Sequence, residues 1–173
     1  ARMRLPAWEH LPMNLAEPMS GLTVGDLLTQ VANSNIATAA VLSGQEHPAT
    51  VELGTDPSQV VVESIRTVLT VASGLDHSSG FSPNHRQLIW SRIVELTVLG
   101  YDLQQAIRAG AGLDDVLVDR ISAVEPEVEI WPSLASLEFD MSTPPTLRLL
   151  AKHGRPPGLW LDVSDPSCGT GQC

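Results

Sequence analysis

The sequence predicts an α+β fold, in which helices fill the first two thirds and the last third completes a small, partly parallel sheet. Between residues 23 and 124, apolar residues recur at helical spacing behind clear helix-start signals. After Val124 the apolar spacing falls from about 3.6 residues to about 2, as in half-buried strands. We therefore expect a single domain over residues 23–163, with its sheet in residues 125–163. Extended arms would flank it, at residues 1–22 and 164–173.

The first predicted helix is short. Thr23 and Asp26 have the spacing of a capping box, with Asp in the place usually held by Glu or Gln, and they open an amphipathic stretch through Val31. Three consecutive polar residues then predict its end: Asn33, Ser34 and Asn35. A candidate strand follows at residues 51–53, where two apolar residues flank Glu52.

Two longer helices begin at a capping residue followed by proline. Asp56 precedes Pro57, and the apolar stripe behind this pair continues to Gly74. Ser82 precedes Pro83 in the same way. So many apolar residues follow Pro83 that we expect this helix to be buried on most of its circumference.

Gly100 predicts the end of that helix, and Asp102 opens a two-turn helix to Ala109. Another helix follows and ends at Val124. Helices joined by short turns are also typical of DNA-binding motifs, but here only Arg120 offsets three acidic residues that would repel phosphates: Asp114, Asp115 and Asp119. We therefore expect an ordinary packed helical region.

The last third alternates acidic and apolar residues. Three segments are candidate strands: 127–130, 137–141 and 159–163. Between the last two lies a helix-sized piece, residues 146–153, closed by Gly154. This order fits a right-handed βαβ crossover with parallel strands.

Charge excludes some classes of function. The chain has 20 acidic and 10 basic residues, a net charge of −10, and its basic residues are scattered, so we expect no nucleic-acid partner. The longest apolar runs are too short and too often interrupted for a membrane span. Prolines and charged residues follow Arg2 and Arg4 where a signal peptide needs an apolar run, so we expect a cytoplasmic protein.

Acidic residues are concentrated between Leu113 and Asp140, where eight acids stand against one base. This segment is a solvated face, a docking patch for a basic partner, or a divalent-cation site. The docking patch would comprise six residues: Asp114, Asp115, Asp119, Glu127, Glu129 and Glu138.

The sharpest catalytic candidate lies where the βαβ unit would place a strand end beside a helix start. There Asp140 would lie at the carboxyl edge of the sheet, with Ser142 and Thr143 near the helix N-terminus, an arrangement that favours an anion. Asp162 and Asp165, at the end of the next strand, would join Asp140 in holding Mg²⁺ beside a phosphate. The alternative is that Ser142 and Thr143 serve as an ordinary helix cap.

No other motif indicates a cofactor. The dinucleotide-binding, P-loop and serine-hydrolase patterns are absent from the sequence, and we expect no cofactor. Cys168 and Cys173 lie in the tail and would close only a small disulfide loop. Three interpretations are open: reduced cysteines without a function, a redox or modification site, or metal ligands. The spacing of the two cysteines does not favour the last.

The arms carry apolar residues between prolines. In the N-terminal arm, four such residues are candidate anchors on a binding partner: Met3, Trp8, Met13 and Met19. We expect a non-catalytic protein-interaction or accessory subunit that binds a protein partner or a second copy of itself. The alternatives are a small Mg²⁺-assisted enzyme or anion binder at Asp140, and a folded carrier of a modified C-terminal Ser/Thr/Cys segment.

Overall fold

The computed structural model of the chain describes residues 23–46, 50–54, 56–78, 81–107, 112–124, 137, 139–140 and 142–155. These residues contain five helices: α1 (Val24–Leu42), α2 (Pro57–Ser78), α3 (Pro83–Ala106), α4 (Asp115–Val124) and α5 (Pro145–Lys152). The chain divides into two compact units, residues 1–111 and residues 112–173. Whether 23–163 acts as one domain between two arms stays a prediction.

The predicted α+β fold is wrong. The described part of the chain forms helices and the segments that join them, and it contains no sheet. Residues 51–53 are extended but unpaired with any strand in that part, and the described residues of 137–141 also form no strand. The other two candidate strands, 127–130 and 159–163, lie outside the described residues.

A side chain takes the place of a neighbouring strand at residue 51. The Val51 N–H donates to Asn33 Oδ1 at 2.8 Å, and Asn33 Nδ2 donates back to the Val51 carbonyl at 3.4 Å. One amide side chain therefore satisfies both backbone groups of Val51, as a strand partner would. The alternating pattern here reflects a loop held against α1.

The described residues of the segment before α5 form hydrogen bonds with one another and with the end of α5. The Leu137 N–H donates to the carbonyl of Ala151 at 2.9 Å. The backbone then turns, because the Ser142 N–H donates to Asp140 Oδ1 at 2.7 Å and the Thr143 N–H donates to the Asp140 carbonyl at 2.9 Å. The predicted βαβ crossover is therefore wrong, although its helix exists as α5.

Helix α1 is twice as long as the sequence predicts, because its polar residues bind other parts of the fold. Asn33 holds Val51, and Asn35 is buried and bonded to the side chains of Ser64 and Arg92. Such residues break helices when their side chains compete locally for the backbone. Here long-range partners engage the Asn35 side chain, and Asn33, which also donates to the Thr29 carbonyl one turn earlier at 3.0 Å, binds Val51 as well; α1 continues to Leu42.

Helix α3 likewise passes through its predicted end. Gly100 lies inside the helix, and the residues around it, Leu99 and Asp102, are buried. A glycine inside a helix costs about 1 kcal/mol relative to alanine, which burial of one leucine side chain, worth about 1.5–3 kcal/mol, offsets. The separate helix predicted from Asp102 to Ala109 is therefore wrong. Every α3 side chain from Gln87 onward is at least half-buried.

Three of the predicted helix starts, at Thr23, Asp56 and Ser82, are confirmed. Thr23 and Asp26 form a reciprocal capping box, in which each backbone N–H donates to the other side chain. Asp56 Oδ1 accepts from the Gln59 N–H at 3.1 Å, and Ser82 Oγ accepts from the His85 N–H at 3.1 Å. In each case the cap satisfies an N–H that the helix itself leaves free.

Two helices end in the same glycine motif. After α1, the Gly44 N–H donates to the Val41 carbonyl and the Gln45 N–H to the Ala40 carbonyl. After α5, Gly154 and Arg155 repeat this pair of bonds. Gly44 and Gly154 have φ values of 73° and 74°, the left-handed conformation that this motif requires. The predicted closure at Gly154 is confirmed.

Each unit has its own apolar core. In the first, α1 packs against both α2 and α3 and supplies most of the buried side chains. In the second, α4 packs against α5. Its buried apolar residues are Val118, Ile121, Leu149, Leu150 and Ala151. Among the described residues, no helix has both the length and the apolar character that a bilayer crossing requires.

Candidate functional site

The predicted catalytic residues form a surface turn. Asp140 and Ser142 meet through the Ser142 N–H, and Thr143 bonds to the backbone of Asp140. Hydrogen bonds from Ser142, chiefly from its backbone N–H, lower the pKa of Asp140 below its usual value of 3.8. Asp140 is exposed, and Asp162 lies outside the described residues.

The alternative interpretation, in which Ser142 or Thr143 caps the helix that follows, is also not supported. The residue before α5 is Pro144, with no side-chain hydrogen bond, so neither Ser142 nor Thr143 caps the helix. The placement of these residues at a sheet edge was wrong because the described residues form no sheet. The structure brings together one carboxylate, which already accepts a hydrogen bond from the Ser142 N–H, and a turn closed by the Thr143 N–H on the Asp140 carbonyl.

Three residues of the predicted acidic patch are described, and one has a local structural role. Asp114 Oδ1 accepts from the Leu117 N–H at 2.9 Å and so caps α4. Asp115 lies in the first turn, where a negative charge favours the helix dipole, and Asp119 is exposed one turn later. The other three acids lie outside the described residues: Glu127, Glu129 and Glu138.

The remaining predicted residues also lie outside the described part of the chain. They are the arm anchors Met3, Trp8, Met13 and Met19, and the tail cysteines Cys168 and Cys173. Within the described part, no three His, Cys, Asp or Glu side chains are grouped so that they could hold a metal ion.

A buried polar network joins the middle of the first three helices. Its only signal in the sequence is polar residues inside apolar stretches. Arg92 on α3 donates from Nε to Asn35 Oδ1 at 2.8 Å and from Nη2 to the Val31 carbonyl at 2.9 Å. Asn35 Nδ2 in turn donates to Ser64 Oγ on α2 at 2.9 Å. Arg92 Nη1 lies 2.5 Å from Glu95 Oε2, an ion pair without hydrogen-bond alignment.

This network is a structural device rather than an open site. Arg92 is 4% exposed and Asn35 is 0% exposed. The Asn35 amide is engaged at both ends, and Ser64 donates onward to the Val61 carbonyl at 2.7 Å. Buried polar groups of this kind are costly unless bonded, so they favour one arrangement of the three helices over others.

A strip of apolar side chains lies on the outer flank of α2. Val62 is 45% exposed, Leu69 is 60% exposed, and Ile65 between them is half-buried. Their spacings of three, four and seven residues place them in one row along the helix. We call Val62, Ile65 and Leu69 the α2 strip.

The α2 strip differs from the other exposed apolar residues in the described part of the chain. Those residues stand singly on different elements: Val41, Ile107, Val116 and Phe139. Single exposed apolar residues are common on protein surfaces, whereas contiguous ones mark contacts with other molecules. Residue spacing predicts an apolar stripe along this helix up to Gly74, but it does not single out the flank that carries Val62 and Leu69.

Comparison with known proteins adds no relative to this description. No family model matches the chain, and no curated protein or solved structure is significantly similar to it.

Proposed function

We propose that this chain is a non-catalytic interaction or accessory subunit that binds a protein partner through the α2 strip. The observation that carries the proposal is the exposure of Leu69, at 60%, in one row with Val62 and Ile65. A helix that leaves such a row in water gains when an apolar surface of another chain covers it.

The size of the gain supports a contact of moderate strength. Burying a valine or leucine side chain is worth about 1.5–3 kcal/mol when it passes from full exposure to full burial. Val62 and Leu69 begin only partly exposed, so the two would contribute a few kcal/mol at most, of which part is lost to the entropy of association. Residues around the strip would have to supply the remaining free energy of binding.

The surroundings of the strip suit a protein contact. Ser58 and Ser73 continue the row at either end with small hydroxyl side chains, and both are exposed. Glu63 and Arg66 lie to one side of it and are also exposed. An apolar centre with a polar rim is the usual composition of a protein–protein interface.

The test compares two substitutions on the same helix. Leu69→Asp places a charge in the strip, whereas Thr70→Asp places the same charge on the neighbouring exposed position, outside the row. The protein would be isolated from its own source, untagged, and its associations measured by native mass spectrometry. We expect a bound partner chain with the wild type and with Thr70→Asp, and its loss with Leu69→Asp.

Two results would contradict the proposal. One is a wild-type protein that is recovered only as a bare monomer under gentle conditions. The other is a complex that survives both substitutions equally, with circular dichroism showing that both variants remain helical. A complex of two identical chains would support the proposal and identify the partner as a second copy.

A further inference from the structure

The α2 strip matches itself when one helix is turned end to end. Val62 and Leu69 lie seven residues apart, so about 10 Å separates them along α2, and Ile65 lies near the midpoint. A two-fold axis through that midpoint, perpendicular to the helix, places Val62 of one copy opposite Leu69 of a second copy, and Leu69 opposite Val62. The two most exposed apolar side chains of α2 then cover each other.

A pair of opposite charges beside the strip fits the same symmetry. Glu63 and Arg66 are exposed and lie on one flank of the strip, about one turn apart. The two-fold axis keeps this flank on the same side in both copies. It brings Glu63 of one copy within about 3 Å, measured along the helix, of Arg66 of the other. Along that direction each Arg66 lies between the two Glu63 side chains, so both arginines have opposite charges nearby.

The Glu63 carboxylate is positioned by its own helix. Gln59 Nε2 donates to Glu63 Oε1 at 2.8 Å. A carboxylate accepts several hydrogen bonds, so the guanidinium of a second copy can bind it without displacing Gln59. The bond that forms is charge-assisted, which makes it stronger than a bond between neutral groups.

The surroundings of the strip limit the choice of partner. On the other flank Val61 and Val68 are half-buried, so a partner reaches the strip from the side of Glu63 and Arg66. Between Pro57 and Gly74 these two are the only charged residues, so this stretch of α2 is neutral although the chain has a net charge of −10. A neutral surface with one charge of each sign favours a surface that carries the same two charges over a strongly acidic or strongly basic one.

We propose that the partner of the α2 strip is a second copy of this chain, whose α2 runs antiparallel to the first. The inference rests on the proposed function, because it names the occupant of the same strip. The contact is centred on one helix of each copy, and interfaces of small area belong to weak or transient complexes. The dimer is therefore reversible and dissociates on dilution.

Sedimentation velocity of the purified full-length chain, with no other protein present, tests the proposal. We expect a monomer at low concentration and a dimer as the concentration approaches the millimolar range. Leu69→Asp should abolish the dimer, because it places two carboxylates against the Val62 side chains of the opposite copies.

A charge swap tests the antiparallel arrangement. Glu63→Arg and Arg66→Glu should each raise the dissociation constant of the dimer about tenfold, because each replaces attraction between the copies by repulsion. The double variant Glu63→Arg/Arg66→Glu restores opposite charges and should return to within about threefold of the wild type. Arg86→Glu is the control, because it makes the same change of charge at an exposed position of α3 and should leave the dimer intact. Circular dichroism would confirm that every variant is helical.

Three outcomes would overturn the proposal. The first is a pure chain that stays monomeric at every concentration. The second is a dimer that Leu69→Asp leaves intact. The third is a double variant that dimerises no better than the two single variants.

Failure of this inference is distinguishable from failure of the proposed function. The pure chain can be monomeric while the protein from its own source binds a different chain, in a complex that Leu69→Asp removes. That result overturns the second copy as partner and leaves the α2 strip as the binding surface. A protein with no partner in either preparation contradicts both proposals.

Discussion

Arg92 Nε donates a 2.8 Å hydrogen bond to Asn35 Oδ1, and these two side chains, 57 residues apart in sequence, are both almost completely buried. The bond ties α3 to α1, and Asn35 extends the tie to α2 through Ser64. The hydrogen bonds of Arg92 and Asn35 therefore join all three helices. Sliding or rotating any of them would leave buried polar atoms unbonded, which is costly.

The first prediction concerns this pair. Asn35→Ala would leave the Arg92 guanidinium buried and short of one acceptor, and we expect the free energy of unfolding to fall by about 3 kcal/mol. Replacing both residues by apolar ones of similar size, as Asn35→Leu with Arg92→Met, should cost less than the sum of the two single changes. Urea unfolding followed by circular dichroism compares the wild type, Asn35→Ala, Asn35→Leu, Arg92→Met and the double variant. Arg86→Met, at an exposed position of the same helix, is the control.

A strictly additive double variant would contradict this account of the Asn35–Arg92 bond. Additivity would mean that the two side chains contribute independently, despite the 2.8 Å contact between them.

The second prediction concerns acid and the capping box of α1. Hydrogen bonds from the Thr23 side chain and then from its backbone lower the pKa of Asp26 below its usual value of 3.8. The ionised form is thus favoured in the folded chain. Its contribution is complete above the unfolded pKa and is lost as pH falls through the lower, folded pKa.

Asp26→Ala should therefore destabilise the protein at pH 7 and much less at pH 2. We expect a loss on the order of 0.5–1 kcal/mol at neutral pH, because the cap is exposed to water. Thr23→Ala removes the donor side chain and should cost about 1 kcal/mol at pH 7. Urea titrations at the two pH values measure the difference, and an Asp26→Ala effect that is the same at both would exclude a role for the ionised carboxylate.

The third prediction uses the single tyrosine of the chain. Partial burial, and to a smaller extent the nearby charge of Asp102, raise the pKa of Tyr101 above its usual value of 10.0. The phenol is therefore favoured in its neutral form in the folded chain. Its contribution to stability is complete below pH 10 and is lost as pH rises from there through the folded pKa.

Absorbance at 295 nm reports the ionisation of Tyr101 alone, since the chain has no other tyrosine. We expect a midpoint above pH 10 in the native protein and one close to pH 10 in urea. Asp102→Asn should lower the native midpoint only in part, because burial is the larger cause. Identical native and urea curves would mean that Tyr101 is fully solvated.

The fourth prediction separates two glycines by their backbone conformation. Gly74 lies in α2 with open space around a built Cβ, so Gly74→Ala should raise the free energy of unfolding by about 0.5–1 kcal/mol. Gly44 has a φ of 73° after the end of α1, so Gly44→Ala should lower it by about 1 kcal/mol despite equally open space. Thermal unfolding of the two variants side by side measures the contrast. If both substitutions changed the free energy of unfolding in the same direction, the space around the added Cβ, rather than the backbone φ, would determine the effect.

Three helix starts and one helix end could be predicted from the sequence because their hydrogen bonds are local. The Thr23–Asp26 box, the Asp56 cap and the Ser82 cap each join residues three positions apart. Gly154 closes α5 through bonds that reach back only a few residues. Such contacts are determined by a short stretch of sequence whatever the rest of the chain does.

The long-range partners could not be predicted in this way. The local propensity of Asn35 predicts a helix end. Asn35 is instead a buried residue inside α1, because Ser64 and Arg92 form hydrogen bonds with its side chain. The alternation of apolar and polar residues around Val51 predicts a strand. No neighbouring strand is required to bind the backbone of Val51, because the Asn33 side chain of α1 does so. These two errors, the early end of α1 and the strand at 51–53, thus follow from contacts that span 18 residues or more.

The candidate site shows the same division. By itself the sequence determined that α2 is helical and has a broad apolar arc, since both follow from residue spacing. Only the tertiary structure decided which part of that arc α1 covers, and so left Val62 and Leu69 facing water. Periodicity specifies the faces of a helix, whereas the burial of each face depends on what packs against it.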